Sequence, residues 1–178
     1  MGYALGKNDN ILLRYTREDD LEFIINAERE EDNAPYVDQW TKEQHSDALS
    51  QKDLMHLIAE EDISHKIVGY VILAGIQNPN GNMEFKRLVI VDKGRGLGRK
   101  TLRLVKKIAF EQLKVHRLWL DVRDKNYRAL NLYLSEGFVK EGVLRECVLY
   151  KGKYESLIIM SILQKEYVNA AGSFPNLS

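Results

Sequence analysis

Apolar residues recur along the start of the chain with the spacing first of a strand and then of a helix. Residues 11–15 (ILLRY) form a short apolar run that predicts a first strand. In residues 19–30, four side chains share one helical face: Leu21, Ile24, Ile25 and Glu28. Thr16 and Asp19 are the predicted capping pair of this helix. The chain therefore opens with a strand followed by a helix.

The next segments predict a loop, a short helix and a β-hairpin. Residues 31–40 (EDNAPYVDQW) lack a periodic pattern, and Thr41 with Gln44 then fits the S/T-x-x-E/Q box that begins a helix. The apolar runs LMHLIAEE and IVGYVILAGI are predicted to be two strands around a turn. Gly69, inside the second run, indicates a bulge or a close backbone neighbour.

A further strand, MEFKRLVIV, follows the turn signal NPNGN. Its alternation predicts that Phe85, Val89 and Val91 lie on one side of the sheet and that Leu88 and Ile90 lie on the other. The end of this strand is therefore expected to be buried on both faces.

The second half of the chain alternates between helical and extended patterns. Residues 99–114 predict an amphipathic helix with one buried face: Leu102, Val105, Ile108, Ala109 and Leu113, with Lys106, Lys107 and Glu111 opposite. Residues 116–123 (HRLWLDVR) alternate as a strand, and residues 127–136 predict a helix that ends at Gly137. Residues 138–163 predict two strands joined through KGK.

Length and composition indicate one domain in a reducing compartment. The 178 residues contain 26 basic and 26 acidic side chains, so net charge points neither to nucleic acid nor to a membrane surface. No apolar run approaches the roughly 18 residues of a membrane helix, and no Cys/His spacing fits a zinc site. We expect a cytoplasmic protein without a metal, with a single domain over residues 1–178. Its core spans about 10–167, and its tail, 168–178, is expected to be flexible.

Three glycines and several cations are concentrated in VDKGRGLGRKTL, residues 91–102, between a strand and a helix. Main-chain N–H groups at a helix N-terminus favour a phosphate group. The dinucleotide pattern G-x-G-x-x-G fails, because its third glycine falls on Arg99 or Thr101. The P-loop pattern also fails, because Arg99 interrupts it and Lys93 stands where its first glycine belongs. The alternative is that these glycines only end one element and begin the next.

Two motifs together resemble one family. KGRGLG is similar to the [Q/R]-x-x-G-x-[G/A] acetyl-CoA signature of GNAT N-acetyltransferases, with Lys93 in place of the usual Gln or Arg. NYRALNLYLSEGF resembles the family's N-x-x-A-x-x-L-Y-x-x-x-G-F element at six positions: Asn126, Ala129, Leu132, Tyr133, Gly137 and Phe138. The ending YKGKYESLIIMSIL is similar to the branch that contains ribosomal-protein and polyamine acetyltransferases.

The resemblance implies a mixed α/β (α+β) fold, with helices on both faces of a central sheet and acetyl-CoA between splayed fourth and fifth strands. Main-chain groups of Leu88, Val89 and Ile90 are expected to hold the pantetheine arm of coenzyme A, and Asn126 is expected to bond to it. The other expected cofactor contacts are Lys93, Gly94, Arg95, Gly96, Leu97, Gly98, Arg99, Ala129, Leu132 and Tyr133.

Direct acetyl transfer to an amine needs a proton acceptor and a proton donor. The resemblance places the Tyr133 hydroxyl near the thioester sulfur as general acid. Glu84, at the start of the strand before the glycine loop, is the predicted general base. A backbone N–H near Val89 is the expected oxyanion donor.

Other hypotheses stay open at this stage. The protein could be an acyl-CoA-binding regulatory module without transferase activity, or a generic nucleotide-binding α/β protein. The amine acceptor, a small molecule or a peptide, is expected to be selected by residues 31–40 and by the terminal hairpin. A free sheet edge in the last strands could support a homodimer.

Overall fold

The seven predicted strands and one further strand, β1, form an eight-stranded mixed sheet in the order β1-β2-β3-β4-β5-β6-β8-β7. The computed structural model describes residues 4–8 and 10–172. Neighbouring strands are antiparallel except β5 and β6, which are parallel. The strands are β1 Ala4–Lys7, β2 Ile11–Tyr15, β3 Leu54–Glu61, β4 Ile67–Ala74, β5 Asn82–Ile90, β6 Arg117–Arg123, β7 Val139–Tyr150 and β8 Lys153–Leu163.

Helices cover both faces of the sheet, as predicted. The α-helices are α1 Leu21–Arg29, α2 Lys42–Ser50, α3 Leu97–Lys107, α4 Tyr127–Ser135 and α5 Gln164–Gly172. On one face, α1 buries Leu21 and Ile24 against Ile58 and Ile72 of the sheet. On the other face, apolar side chains of α3 and α4 pack against the opposite sides of the same strands. None of the helices within the described ranges is both long and apolar enough to cross a membrane.

The parallel strands β5 and β6 separate soon after they pair. Their register ends at Glu84 opposite Trp119, although β5 continues to Ile90 and β6 to Arg123. Six residues of β5 thus have no strand neighbour on the β6 side. These are the predicted fourth and fifth strands, and the count rises by one because β1 precedes the predicted first strand.

A bulge in β5 overturns the predicted alternation of that strand. The β4 register jumps from Ile72–Arg87 to Leu73–Phe85, so Lys86 is the extra residue. Phe85 consequently packs in the core under α3 and α4, whereas Val89 packs in the core under α1. The prediction that Phe85 and Val89 share one side was wrong, because a bulge shifts the faces by one residue.

The start of α1 differs from the prediction, whereas the start of α2 agrees with it. The residue that caps the first turn is Asp20, whose Oδ2 accepts from Arg17 N at 2.7 Å, and not Asp19. The predicted partner, Thr16, instead places its hydroxyl 2.9 Å from His56 Nδ1. The predicted box at α2 is confirmed, since Thr41 Oγ1 accepts from Gln44 N at 3.2 Å.

Two details of the long helix also differ. A π-helical segment, Ile108–Gln112, follows α3 and turns the chain, so Leu113 is 37% exposed instead of buried. Lys106 is buried instead of exposed, because its Nζ reaches the Glu136 carbonyl at 2.8 Å. At the C-terminus, α5 includes residues 168–172, which the sequence assigned to the tail. Residues 173–178 lie outside the described part of the chain.

Candidate active site

At the separation of β5 and β6 lies a cavity of about 840 Å³ that is lined by elements from both faces of the sheet. One wall comes from the glycine loop and α4, and the other from residues 32–38 between α1 and α2. Side chains from the terminal hairpin, Val148 and Leu157, complete it. The two segments predicted to select the acceptor therefore do line the same cavity as the glycine loop.

The glycine loop forms an open cradle at the start of α3. Gly94 and Gly96 have φ values of 83° and 71°, a left-handed conformation that other residues rarely adopt. Gly96 is the N-cap of α3, and no atom lies within 4 Å of a Cβ built at Gly94 or Gly96. The space beside these glycines is therefore open, at the end of α3 where N–H groups lack helical partners and the helix dipole is positive. This arrangement suits a pyrophosphate, and it argues against glycines that serve only to link two elements.

The cations of the loop are mostly engaged by protein carboxylates. Arg99 donates to Glu136 at 2.6 Å, and Lys93 Nζ lies 3.6 Å from Asp32 Oδ2 across the cavity. Arg95 turns away from the cavity to pair with Glu61. Cations that are paired with carboxylates are less free to bind an anion, so the main-chain groups of the loop stay the predicted phosphate ligands.

Main-chain groups of β5 also face the gap, but not all of those predicted. Val91 N donates to Val68 O of β4 at 2.9 Å, and the Val89 carbonyl points at Gly69 of β4. By the alternation of an antiparallel ladder, Leu88 and Ile90 direct their N–H and C=O groups into the cavity. Leu88 and Ile90 line the cavity and Val89 does not. The contacts of these residues with coenzyme A stay predictions.

The motif on α4 supplies the floor of the cavity. Asn126 caps the helix through its side-chain oxygen, which accepts from Ala129 N at 3.2 Å. Ala129, Leu132 and Tyr133 line the cavity on the same helix. The spacing of the motif thus places one polar cap and three lining side chains on a single face.

Tyr133 is buried at 8% exposure at the junction of the cavity and the core. Its ring packs edge-on against Phe85 and lies 5.7 Å from the ring of Phe138. Burial, and then the negative charge of Asp121, raise the pKa of Tyr133 above that of free tyrosine. The hydroxyl therefore keeps its proton at neutral pH, as a proton donor must.

Two carboxylates lie on the other face of the separated strands. Asp121 lines the cavity, whereas Glu84 does not and pairs with Lys86 at 3.6 Å. Burial raises the pKa of both carboxyl groups, and the charge of Asp121 adds to the effect on Glu84. Lys86 opposes the shift in each case. Sequence reasoning missed Asp121, although the alternation of Leu118, Leu120 and Val122 places it on the opposite face.

Sequence reasoning also missed two cationic side chains, Arg87 and Arg123, on the same side of the cavity as Asp121. We call this side, together with Lys86 and the loop of residues 31–40, the acceptor wall. Arg87 and Arg123 are both buried and line the cavity. Arg87 Nη1 lies 2.7 Å from Glu28, and Arg123 Nη1 lies 3.2 Å from Glu155. Their partners are distant in sequence, so no local pattern signals them.

A sheet opened between parallel strands, with a glycine cradle on one side and a buried tyrosine beside it, defines a site for an acyl carrier with a diphosphate. A model of the Acetyltransferase (GNAT) family matches residues 21–138. The chain belongs to this GNAT acetyltransferase family.

Relatives extend the similarity to nearly the whole chain. Spermidine N(1)-acetyltransferase of Vibrio cholerae serotype O1 is 29% identical over 172 residues, 91% of this chain and 98% of the relative. The Escherichia coli K12 spermidine N(1)-acetyltransferase is 24% identical over 89% of each chain. A crystal structure of the V. cholerae spermidine N-acetyltransferase with CoA and spermine superimposes with a TM-score of 0.82 at 26% identity, covering 91% of this chain and all of that one.

The protein is therefore an acetyl-CoA-dependent N-acetyltransferase that transfers an acetyl group to a primary amine. The cradle, the free strand edge and the α4 motif fit coenzyme A, as expected from the sequence. The comparisons favour this activity over a cofactor-binding regulatory module and over a generic nucleotide-binding protein.

Proposed function

We propose that the amine acceptor is an aliphatic polyamine, with Tyr133 as general acid and Asp121 as the carboxylate that faces the amine. The observation that supports it is Asp121, a carboxylate in the same cavity as Tyr133. None of the cations among the described residues forms an ion pair with Asp121; the charges that act on its pKa are those of Lys86, Asp38 and Arg123. The spermidine acetyltransferases that resemble this chain over most of their length also support it.

The cations of the acceptor wall do not oppose a cationic substrate. Arg87 is neutralised by Glu28, Lys86 lies 3.6 Å from Glu84, and Arg123 lies between Glu155 and Asp38. Asp121 remains to attract an ammonium group, and the exposed Asp32, which lies 3.6 Å from Lys93 Nζ, adds a second carboxylate at the loop. A polyamine places one amine at the cavity centre and a second charge toward the loop of residues 31–40.

The chain supplies binding groups and two proton sites. Acetyl-CoA, held by the main chain of Gly94 to Arg99 and of Leu88 and Ile90, provides an activated acetyl group. The raised pKa lets Asp121 accept a proton from an ammonium group more readily than an ordinary aspartate does. Glu84, predicted as the base, does not line the cavity and lies 3.6 Å from Lys86. Its proposed role is electrostatic, because its charge and that of Asp121 interact. On the opposite side of the cavity, the Tyr133 hydroxyl donates a proton to the departing thiolate.

Acceptor choice can be tested with three amines at saturating acetyl-CoA, with release of free thiol as the measurement. We expect kcat/KM for spermidine to exceed that for a peptide N-terminal amine by about 100-fold or more, since the second charge contributes about 3 kcal/mol of binding. n-Butylamine, which lacks the second charge, should fall between them. A preference for the peptide would contradict the polyamine proposal.

Asp121→Asn should lower kcat by about 100-fold, because an amide cannot accept the proton. In the wild type, activity should fall on the acid side at a higher pH than an ordinary aspartate would give, because the folded-state pKa is raised and the base works only when deprotonated. The variant should lose this acid limb of the pH profile. Glu84→Gln should have a smaller effect, and Asp47→Asn on the exposed face of α2 should have none. An unchanged pH profile in Asp121→Asn would remove the base role.

Two sequence predictions stay predictions. The cytoplasmic location agrees with the single cysteine, Cys147, which is exposed and free. The homodimer agrees with the long edge strand β7, on which apolar side chains such as Val139 and Leu149 are exposed.

A further inference from the structure

The buried face of α1 ends on a carboxylate. Glu28 is 1% exposed, and its oxygens accept from Tyr70 Oη at 2.5 Å, Arg87 Nη1 at 2.7 Å and Trp40 N at 3.0 Å. His45 Nε2 lies 3.1 Å from it, out of line for a regular hydrogen bond. Burial alone would raise the pKa of Glu28, but these donors outweigh it and hold the pKa below its ordinary value. Glu28 is therefore charged, and both of its carboxylate oxygens accept hydrogen bonds.

Two of these partners shape the acceptor wall. Arg87 lines the cavity, and its guanidinium lies 4.4 Å from the ring centre of Trp40. Trp40 ends the loop of residues 31–40, which supplies Asp32 and Asp38 to the cavity. The Glu28 carboxylate thus binds both the cavity-lining Arg87 and Trp40, at the end of the loop of residues 31–40.

A second layer fixes the far side of Glu28. His45 Nδ1 lies 3.0 Å from His56 Nε2, and His56 Nδ1 lies 2.9 Å from the Thr16 hydroxyl. Burial, and then the charge of His45, lowers the pKa of His56 to about 3, so this imidazole stays neutral at physiological pH. A neutral ring donates on one side and accepts on the other, which keeps the chain of contacts in a single order.

We propose that Glu28 is a positioning residue for the acceptor, because it holds Arg87 and Trp40 in the orientation that shapes the amine side of the cavity. The proposal rests on the proposed function only in assigning that side to the amine. Glu28 lies outside the cavity lining and does not touch the reacting atoms.

Glu28→Gln in the full chain tests the proposal, since glutamine keeps the size but loses the charge that holds Arg87. We expect the KM for spermidine to rise about tenfold while the Kd for acetyl-CoA stays within about twofold. Amide hydrogen exchange should increase in residues 30–41, a readout that does not depend on the acceptor. Arg87→Lys, which keeps the charge without the planar stacking on Trp40, should give the same pattern even where Glu28→Gln folds poorly.

Glu60→Gln is the matched control. Glu60 is a buried carboxylate that pairs with Arg14 at 2.5 Å, outside the cavity lining. It should lower the Tm without changing the KM or the exchange of residues 30–41. If Glu28→Gln and Arg87→Lys behave like Glu60→Gln, the positioning role is wrong. If the wild type does not acetylate spermidine, the proposed function fails, and the exchange measurement still decides the positioning role.

Discussion

Tyr133→Phe is expected to lower kcat by about 100-fold or more while the Kd for acetyl-CoA changes by less than about twofold. The hydroxyl is the only group removed, and the ring keeps its contacts with Phe85 and Phe138. A positioned general acid contributes about 10²- to 10⁴-fold to a rate. Steady-state kinetics for kcat and calorimetry for cofactor binding separate the two effects, because loss of a group that acts only in the transition state leaves ground-state binding intact.

Tyr15→Phe on the exposed side of β2 is the control, since it removes the same hydroxyl away from the cavity. It should leave kcat unchanged. A Tyr133→Phe variant with wild-type turnover would exclude the acid role, and equal losses in kcat and in cofactor affinity would indicate a binding role instead.

Gly69→Ala is expected to lower the free energy of unfolding by about 3 kcal/mol or more, one of the largest effects that a single methyl group can have. A Cβ at Gly69 would lie 2.1 Å from the Val89 carbonyl oxygen and 2.8 Å from Ile90 Cδ1. The predicted close backbone neighbour is therefore confirmed. The β3–β4 register steps from Ala59–Gly69 to Glu60–Ile67, so Val68, next to Gly69 in β4, is the extra residue of a bulge. Thermal unfolding should show a Tm lower by about 6 to 12 °C.

The same substitution should also weaken cofactor binding, because β4 can make room only by pushing β5 toward the cavity. Gly142→Ala provides the comparison, since a Cβ at that position meets no atom within 4 Å. It should change the stability by less than about 1 kcal/mol. A Gly69→Ala protein as stable as Gly142→Ala would contradict the β4–β5 packing.

Elements with local causes were predicted well. The α2 box depends on Thr41 and Gln44, three residues apart, and the left-handed end of α4 depends on Gly137. The left-handed turn of the glycine loop depends on Gly94 and Gly96, and the helix that follows begins there. Each of these features is specified within one or two turns of chain, so its pattern is visible in a single sequence.

Features that depend on strand register were not predictable in the same way. The bulge at Lys86 places residues before and after it on opposite faces from those that strict alternation predicts. The pattern of apolar and polar residues alone does not reveal such a bulge. Val89 was expected to face the cofactor but does not line the cavity, because pairing with β4 decides the direction of its main-chain groups. Glu84 was predicted as the base from its position at the start of the strand, and Asp121 was missed because the point where β5 and β6 separate is not visible in the sequence.

The sequence by itself determined the donor side of this protein: a glycine cradle, an α4 motif and a tyrosine on a fixed helical face, all set by short-range spacing and backbone conformation. The tertiary structure alone decided the acceptor side. Glu28 binds Arg87, which is 59 residues away in the sequence. Asp121 and the loop of residues 31–40 line one cavity only because the sheet is open between β5 and β6. Burial raises the pKa of Asp121, whereas the donors around Glu28 outweigh burial and lower the pKa of that group. Both effects depend on how the whole chain packs.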